Sequence, residues 1–181
     1  MTAIPIRLAQ PRDLAAITRI YDHAVRHGTA SFEIEPPSER EMARRYEELR
    51  AGGYPYLVAE LGGEIMGYAY AGPYHRRPAY RWSVEDSIYV APTTQRRGIG
   101  RALLERLIAE AEMGGFRQMI AVIGDSANLA SIELHRAAGF RMVGKFANVG
   151  FKFGRWLDSV LMQRPLGTGA TEPPAVRTPR G

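Results

Sequence analysis

The first part of the chain shows apolar residues at two spacings, one typical of strands and one typical of helices. Apolar residues alternate over residues 4–8, which predicts a first strand. Between residues 14 and 25 they recur at helical spacing, as on the buried face of a helix. Ser38-Glu39-Arg40-Glu41 is a capping-box sequence, and it opens a second predicted helix that ends near Leu49.

The same pattern predicts strands and helices in the rest of the chain. The strands are expected at residues 56–61, 64–70, 84–90, 119–123, 140–145 and 156–163, and the helices at 99–113 and 130–138. Gly62-Gly63 between two strands is typical of a hairpin. The order β-α-α-β-β-β-α-β-α-β-β predicts a mixed α/β (α+β) layer and not a doubly wound sheet.

Length and composition favour one domain. The chain has 181 residues, and we expect the domain at residues 4–166. From Gly167 onward Gly, Pro and Thr dominate, so we expect residues 167–181 to form a disordered tail. The sequence has no cysteine, no apolar run long enough to cross a membrane and no signal-peptide layout at its N-terminus. We therefore expect a cytoplasmic protein with no membrane partner.

The net charge of +5 raises the question of nucleic-acid binding. Most basic residues are interspersed with glutamates. The local excess is confined to two compact groups, which are Arg76, Arg77 and Arg81 in the first and Arg96, Arg97 and Arg101 in the second. Compact groups suit small anions better than a long polyanion, so we expect no nucleic-acid partner.

The most distinctive sequence runs from Ser87 to Arg101, where a predicted strand ends and a helix begins. Glycines and the N–H groups of a helix N-terminus suit a pyrophosphate, and arginines add charge-assisted hydrogen bonds to phosphate oxygens. A dinucleotide fingerprint would need a third glycine where Leu103 stands, and a P-loop would need Lys-Ser/Thr after Gly100. What remains is the pattern Gln-x-x-Gly-x-Gly, which begins at Gln95.

This pattern, directly after a strand, resembles the pyrophosphate loop of the GNAT superfamily of N-acetyltransferases. A predicted helix that ends at Gly139-Phe140 resembles the later coenzyme-binding segment of the same family. Further segments resemble the phosphinothricin and the methionine sulfoximine or sulfone N-acetyltransferases within it, namely residues 55–60, 70–74, 79–90 and 150–156. The resemblance covers about residues 4–166.

The resemblance implies a single GNAT-type domain with a central, mixed but mostly antiparallel seven-stranded sheet flanked by helices. It implies acetyl-coenzyme A (acetyl-CoA) as cosubstrate and a small-molecule amine as acceptor, the α-amine of an amino-acid analogue. Relatives suggest a homodimer and a role in detoxification, as in antibiotic or herbicide resistance. Two alternatives stay open: acetylation of another small amine or a peptide N-terminus, and a non-catalytic acetyl-CoA-binding regulator.

The residues that the resemblance implies for coenzyme binding lie on the strand, on the glycine loop and at the start of the later helix. They are Ile88, Tyr89, Val90, Gln95, Arg96, Arg97, Gly98, Ile99, Gly100, Arg101, Asn128 and Ser131. Asn128 has a second interpretation, since its side chain can cap the helix that follows.

Three residues are implied in catalysis. Glu85 is expected to take a proton from the acceptor amine, unless it is a surface carboxylate paired with an arginine. Its rival, Asp86, should point to the opposite face of the strand. The backbone N–H of Val90 is expected to face the thioester oxygen. His135 stands where many relatives carry a tyrosine, and it either protonates the departing thiol or only forms a hydrogen bond.

The acceptor pocket is inferred from residues around the catalytic strand. They are Phe32, Tyr74, His75, Arg76, Arg77, Arg81, Trp82, Glu85, Asp86, Ser87 and Lys152. Guanidinium groups suit the carboxylate or phosphinate of such an acceptor, although the arginines could equally be solvated loop residues and Trp82 a packing residue. His23 and His27 have a spacing that can bind a metal, but no acidic partner follows them, so we expect no metal.

Overall fold

Strands and helices follow one another in the order that the sequence predicts. The computed structural model describes residues 4–174. Its strands are β1 (Ile6–Leu8), β2 (Tyr56–Leu61), β3 (Glu64–Pro73), β4 (Ser83–Val90), β5 (Gln118–Gly124), β6 (Arg141–Lys152) and β7 (Arg155–Pro165). Its α-helices are α1 (Leu14–His27), α2 (Glu39–Ala51), α3 (Ile99–Met113) and α4 (Leu129–Ala137). Short 3-10 turns that begin with proline lie at Pro11–Asp13, Pro78–Tyr80 and Pro92–Thr94.

The seven strands form one sheet in the order β1-β2-β3-β4-β5-β7-β6. Every neighbouring pair is antiparallel except β4 and β5, which are parallel and are joined through α3. The predicted mixed, mostly antiparallel sheet is therefore confirmed. A parallel pair needs a crossover connection, and here that connection carries the glycine loop and the helix after it.

The pairing of β4 and β5 is short. It runs from Ser83↔Gln118 to Asp86↔Ala121 and ends there, whereas β4 stays paired with β3 as far as Val90↔Gly67. The last four residues of β4 are thus held by β3 on one side only. This opening between two neighbouring strands is where the candidate site lies.

Helices cover both faces of the sheet, and each face has its own core. The α3/α4 face is aliphatic and includes Leu103, Leu104, Leu107 and Met119. The α1/α2 face is rich in tyrosines and includes Tyr21, Tyr46, Tyr56, Tyr68 and the partly buried Tyr89. Side chains alternate along a strand, so β4 sends even-numbered residues to the first face and odd-numbered residues to the second.

The predicted capping box of α2 forms only in part. Ser38 Oγ accepts a hydrogen bond from the backbone N–H of Glu41 at 3.3 Å, as an N-cap residue does. The Glu41 carboxylate accepts hydrogen bonds from Arg44 and Arg45 at 2.8 and 2.9 Å on the same helix. Its partners are therefore basic side chains of the next turn.

The last strands extend beyond their predicted bounds. β6 continues to Lys152 instead of ending near Lys145. Its pairing with β7 shifts register twice, as at β-bulges, and these shifts interrupt the alternating pattern from which the strand was predicted. In the predicted tail, residues 167–174 include hydrogen-bonded turns, such as Gly169 N–H to Leu166 O at 2.8 Å. The other tail residues, 175–181, lie outside the described residues.

Candidate active site

A small cavity of about 50 Å³ lies where β4 and β5 separate. Its walls are residues 86–89 of β4, residues 121–124 of β5, and Asn128, Ser131 and His135 at α4, with Ala30 from the loop after α1. We call this opening the cleft. It passes between the two strands, so groups on both faces of the sheet border it.

The backbone of β4 presents free polar groups to the cleft. Hydrogen bonds from Ala91 N–H to Met66 O (2.9 Å) and from Tyr74 N–H to Ser83 O (3.4 Å) show that odd-numbered residues of β4 pair with β3. The N–H groups of Ile88 and Val90 therefore point away from β3. Both residues follow Asp86, the last residue of β4 that pairs with β5, so their N–H groups form no hydrogen bond with β5.

The loop between β4 and α3 has the features expected of a pyrophosphate site. Thr94 braces it, since its hydroxyl donates to Met66 O at 3.2 Å. Gly98 caps α3 with φ +82°, a left-handed conformation that favours glycine, and Arg96 is also left-handed with φ +62°. The first-turn N–H groups of α3 have no acceptor within the helix and carry a partial positive charge.

The side chains around this loop are placed to meet an anion. Gln95, Arg96 and Arg97 are exposed at the helix start. Arg101 pairs with Glu105 one turn further along α3, at 2.7 Å. The loop thus offers backbone N–H groups at its centre and two guanidinium groups at its rim.

Asn128 and Ser131 line the cleft, and Asn128 also caps helix α4, which was its second predicted role. The Asn128 side-chain oxygen accepts a hydrogen bond from the Ser131 backbone N–H at 3.2 Å and so caps α4. Both residues remain at the cleft wall, where a ligand between the strands would pass.

Glu85 lies on the α1/α2 face of β4, opposite to Asp86, as predicted. It is half-buried, and among residues 4–174 no basic side chain forms an ion pair with it. Burial, with a further contribution from the charge of Asp86, raises the pKa of Glu85 to about 7. A carboxyl group with this pKa can accept a proton at neutral pH, which is what a general base requires.

Asp86 and His135 form a buried pair on the other face. His135 Nε2 lies 2.9 Å from Asp86 Oδ2, and His135 Nδ1 lies 2.7 Å from the carbonyl oxygen of Ser131. Burial acts to lower the pKa of His135, but the hydrogen bond and charge of Asp86 outweigh it, so the pKa of His135 is raised. Asp86, predicted to bind the acceptor, thus has a histidine of α4 as its partner.

Lys152, also predicted in the acceptor pocket, holds the loop after α1. The side chain is buried, and its ammonium group donates to the carbonyl oxygens of Gly28 and Ser31 at 2.9 and 2.8 Å. Burial lowers the pKa of Lys152. Phe32 of the same loop packs so closely on Gly150 that a Cβ there would lie 2.5 Å from its ring.

The arginine-rich loop lies between β3 and β4, directly before Glu85. The rings of Tyr74, His75 and Tyr80 form a cluster, with centroids 4.1 Å apart for the first pair. Arg76 and Arg77 are exposed. Their guanidinium groups are therefore accessible to an anionic ligand.

Trp82 lies apart from the cleft. The Arg81 guanidinium stacks 3.7 Å above the Trp82 ring, a cation–π contact. Trp82 also borders a surface groove formed with Arg117 and residues 169–174. The structure therefore supports a packing role for this residue.

Two residues of the site were not predicted. Tyr70 of β3 is partly buried across from Ser87, hydrogen-bonds to it and lies close enough to Glu85 for their charges to interact. The hydroxyl of Tyr21 lies 2.9 Å from Ser31 Oγ in the loop that Lys152 holds. Both tyrosines fit the core pattern of their elements, so no sequence signal separates them from packing residues.

The described part of the chain has neither a cluster of metal ligands nor a helix that could span a membrane. No group of three or more potential metal ligands occurs among residues 4–174. The rings of His23 and His27 are 4.6 Å apart on α1, without a third ligand. No helix within those residues is long and apolar enough to span a membrane.

An open strand edge, a helix start suited to an anion and a carboxylate with a raised pKa beside them are the features of an acyltransferase that uses a coenzyme A thioester. The sequence model of the acetyltransferase (GNAT) domain matches residues 6–161, and the chain belongs to this family. It is an acetyl-CoA-dependent N-acetyltransferase, as the sequence predicts.

Two curated relatives are similar over most of their length. Phosphinothricin N-acetyltransferase from Alcaligenes faecalis is 54% identical over 172 residues, which cover 95% of this chain and 87% of the relative. L-methionine sulfoximine/L-methionine sulfone acetyltransferase from Salmonella typhimurium is 44% identical over 161 residues, which cover 89% and 94%. The predicted resemblance to this group of enzymes is therefore confirmed.

A solved structure shows the same fold with the cosubstrate bound. The phosphinothricin acetyltransferase of Sinorhizobium meliloti in complex with acetyl-CoA superposes with a TM-score of 0.94 at 48% identity, covering 96% of this chain and 94% of that one. The residues present here fit the same cosubstrate, since the glycine loop is open to phosphates and Asp86 Oδ1 is a buried acceptor without a hydrogen-bond partner in residues 4–174.

We predict that Gly98→Ala weakens acetyl-CoA binding by roughly tenfold, equivalent to about 1.4 kcal/mol. A steric clash is not the cause, because a Cβ at this position would meet nothing closer than Ile4, at 4.0 Å. The cause is backbone strain, because φ of Gly98 is +82° and alanine rarely adopts this conformation. Gly63→Ala is the matched control, with the same φ in the β2–β3 turn and no neighbour within 4 Å. Calorimetric titration should separate the two variants, whereas equal affinities would contradict a role for Gly98 in the coenzyme loop.

Proposed function

We propose that this protein transfers the acetyl group of acetyl-CoA to the α-amine of a small amino-acid analogue, of the phosphinothricin, methionine sulfoximine or methionine sulfone type. The observation that carries the proposal is Glu85, a half-buried carboxylate without an ion-pair partner in residues 4–174, whose pKa of about 7 suits a general base. The names of the similar enzymes supply the acceptor class.

Acetyl-CoA supplies the acetyl group as an activated thioester. The residues of this chain hold it by the glycine loop and by the open edge of β4. Two backbone N–H groups of β4 are free. Ile88 is part of the cleft wall, and Val90, the predicted oxyanion donor, lies two residues further along the strand. We assign stabilisation of the thioester oxygen to this pair of N–H groups, with Ile88 the nearer to Glu85.

Glu85 would remove the proton that an α-ammonium group carries at neutral pH. Ile88 follows Glu85 by three positions, roughly 10 Å along an extended strand. A proton therefore reaches the carboxylate through one or more waters. Once the amine is neutral, its lone pair can attack the carbonyl carbon. The C–S bond then breaks, and the departing thiolate takes up the second proton of the attacking nitrogen, directly or through water, to give the amide and the thiol.

The acceptor's acid group would bind on the Glu85 face. Exposed Arg76 and Arg77 in the preceding loop can bind a carboxylate or phosphinate, with His75 beside them. Lys152 contributes indirectly, since it holds the loop that carries Phe32. This basic border favours a small anionic amino acid over a peptide N-terminus, and the basic carboxyl of Glu85 favours an enzyme over a non-catalytic regulator.

We place the reaction in the cytoplasm, where acetyl-CoA is available, and we propose that its benefit is resistance to toxic amino-acid analogues. The partner is then a small molecule and neither nucleic acid nor membrane. This agrees with the short, separate arginine groups of the sequence.

The acceptor is tested by thiol release from acetyl-CoA with a panel of amines. We expect turnover with phosphinothricin, methionine sulfoximine and methionine sulfone. The methyl ester of methionine sulfone should react far more slowly, because it lacks the carboxylate that the arginines would bind. Background rates with all three amino acids, together with turnover of an uncharged amine or a peptide, would contradict the proposed acceptor class.

The role of Glu85 predicts a pH dependence. Its ionised form is the base, and its pKa is raised to about 7, so activity should be present above that pH and fall as the pH drops through it. We expect Glu85→Gln to lower kcat about 10²–10⁴-fold and to remove this ionisation while acetyl-CoA affinity is retained. Glu64→Gln, at an exposed carboxylate of β3, serves as the control. An unchanged pH profile in Glu85→Gln would remove Glu85 from the mechanism.

We propose that the protein forms a homodimer through the β6–β7 hairpin. β6 is an edge strand, and large apolar side chains of this hairpin are more than half exposed. They are Val143, Phe146, Val149, Phe151, Phe153 and Trp156. Contiguous exposed apolar side chains on an edge strand are typical of a surface that is covered by a partner, and a second copy of the chain would cover it.

We expect light scattering coupled to size-exclusion chromatography to give the mass of a dimer. Phe151→Glu should shift it to a monomer, because burying the new charge at the interface is unfavourable. Leu8→Glu is the control, since Leu8 is equally exposed (58%) on the opposite edge strand. A monomeric wild-type protein would contradict this interface. So would a dimer that persists both in Phe151→Glu and in the double variant with Trp156→Glu.

A further inference from the structure

The buried pair of Asp86 and His135 links the strand that carries Glu85 to helix α4. The two side chains are 2% and 5% exposed, and 49 positions separate them in sequence. They meet at the last position where β4 and β5 pair, and both line the cleft. The contact therefore lies at the point where the strands separate.

Hydrogen-bond chemistry determines where the protons of this histidine are. Nδ1 lies 2.7 Å from the carbonyl oxygen of Ser131, which can only accept, so Nδ1 carries a hydrogen. Nε2 lies 2.9 Å from Asp86 Oδ2, and an ionised carboxylate can only accept, so beside the ionised Asp86 Nε2 carries the second hydrogen. In this arrangement each ring nitrogen donates one hydrogen bond, as an imidazolium does.

We propose that Asp86 is a positioning residue that keeps His135 doubly protonated and fixed in the cleft wall through the neutral pH range. His135 then does not supply the proton that the departing thiol takes up. The catalytic consequence rests on the proposed function, whereas the protonation state of His135 can be measured independently of any reaction.

The reason lies in what proton loss would leave behind. If Nε2 gave up its proton, a bare nitrogen lone pair would face the Asp86 carboxylate at 2.9 Å. If Nδ1 gave up its proton, its lone pair would face the Ser131 carbonyl at 2.7 Å, and the Ser131 hydroxyl, a possible donor, lies at the longer distance of 3.4 Å. Both arrangements are repulsive, so the geometry opposes release of either proton. The alternative role foreseen from the sequence, a histidine that only forms hydrogen bonds, is the one that these contacts favour.

The other charged groups near the ring do not change this conclusion. On α4 itself, Glu133 and Arg136 pair with each other on the exposed side. Arg164 of β7 donates to the carbonyl of Ala138 at the end of the helix. Glu85 of β4 points to the opposite face of the sheet, and Phe140 contributes only an aromatic edge, 5.0 Å from the ring. Asp86 is therefore the charged group that governs His135.

The free oxygen of Asp86 supports a role at the cleft. Oδ1 is fully buried and has no hydrogen-bond partner within residues 4–174. A buried carboxylate oxygen without a donor is unfavourable, so a donor from a ligand or a water in the cleft is expected there. Asp86 can thus orient His135 with one oxygen and meet a ligand with the other.

The test is an NMR titration of the histidine rings in the ¹⁵N-labelled protein without ligand. The chain has four histidines, and His23, His27 and His75 are exposed internal references. We expect both ring nitrogens of His135 to show protonated shifts at pH 7.5. His135→Gln identifies its signals. A His135 ring that is neutral at pH 7.5 would overturn the proposal.

Asp86→Asn gives the matched variant, because the amide has nearly the same shape but can donate a hydrogen bond to Nε2. We expect the pKa of His135 to fall by at least about one unit, a tenfold loss of proton affinity. Asp22→Asn, at an exposed residue pair on α1, should leave it unchanged. If Asp86→Asn does not fold by circular dichroism, the wild-type titration still decides. Failure of the amine panel would refute the acceptor class and leave the result for His135 intact.

Discussion

The site depends on the early end of pairing between β4 and β5. The two parallel strands share hydrogen bonds as far as Asp86↔Ala121, and beyond this position β4 is held only by β3. Unpaired backbone donors are costly when they are buried without a partner, so this edge is suited to a ligand that can accept hydrogen bonds. The same opening creates the cleft, exposes Ile88 and Val90, and leads to the glycine loop.

Strand alternation divides the chemistry between the faces of the sheet. Glu85 lies on the tyrosine-rich face with the arginine loop before it, and Asp86 lies on the aliphatic face with His135 and α4. The dipeptide Glu85-Asp86 therefore places the proposed base on one face of the sheet and the partner of His135 on the other. The environments differ accordingly. Burial without an ion-pair partner raises the pKa of Glu85, whereas Asp86 holds a cationic partner.

The sequence predicted what local patterns encode. The bounds of α3 agree with the prediction because glycines mark both of its ends, and the order of strands and helices is that expected from their periodicity. It predicted less of what depends on distant contacts. β6 was predicted too short because bulges break its alternation. Asp86 and His135 are 49 positions apart, and Lys152 and Gly28 are 124 positions apart. No local sequence pattern indicates contacts between residues so far apart in the chain.

Amide hydrogen exchange, resolved by residue with NMR, tests the open edge of β4 most directly. In the free protein, the amides of Ile88 and Val90 should exchange faster than those of Ser87 and Tyr89, which are bonded to β3. Saturating acetyl-CoA should slow Ile88 and Val90 and leave their two neighbours little changed. The account would be contradicted if Ile88 and Val90 were already as protected as Ser87 and Tyr89 in the free protein, or if acetyl-CoA left their exchange unaltered.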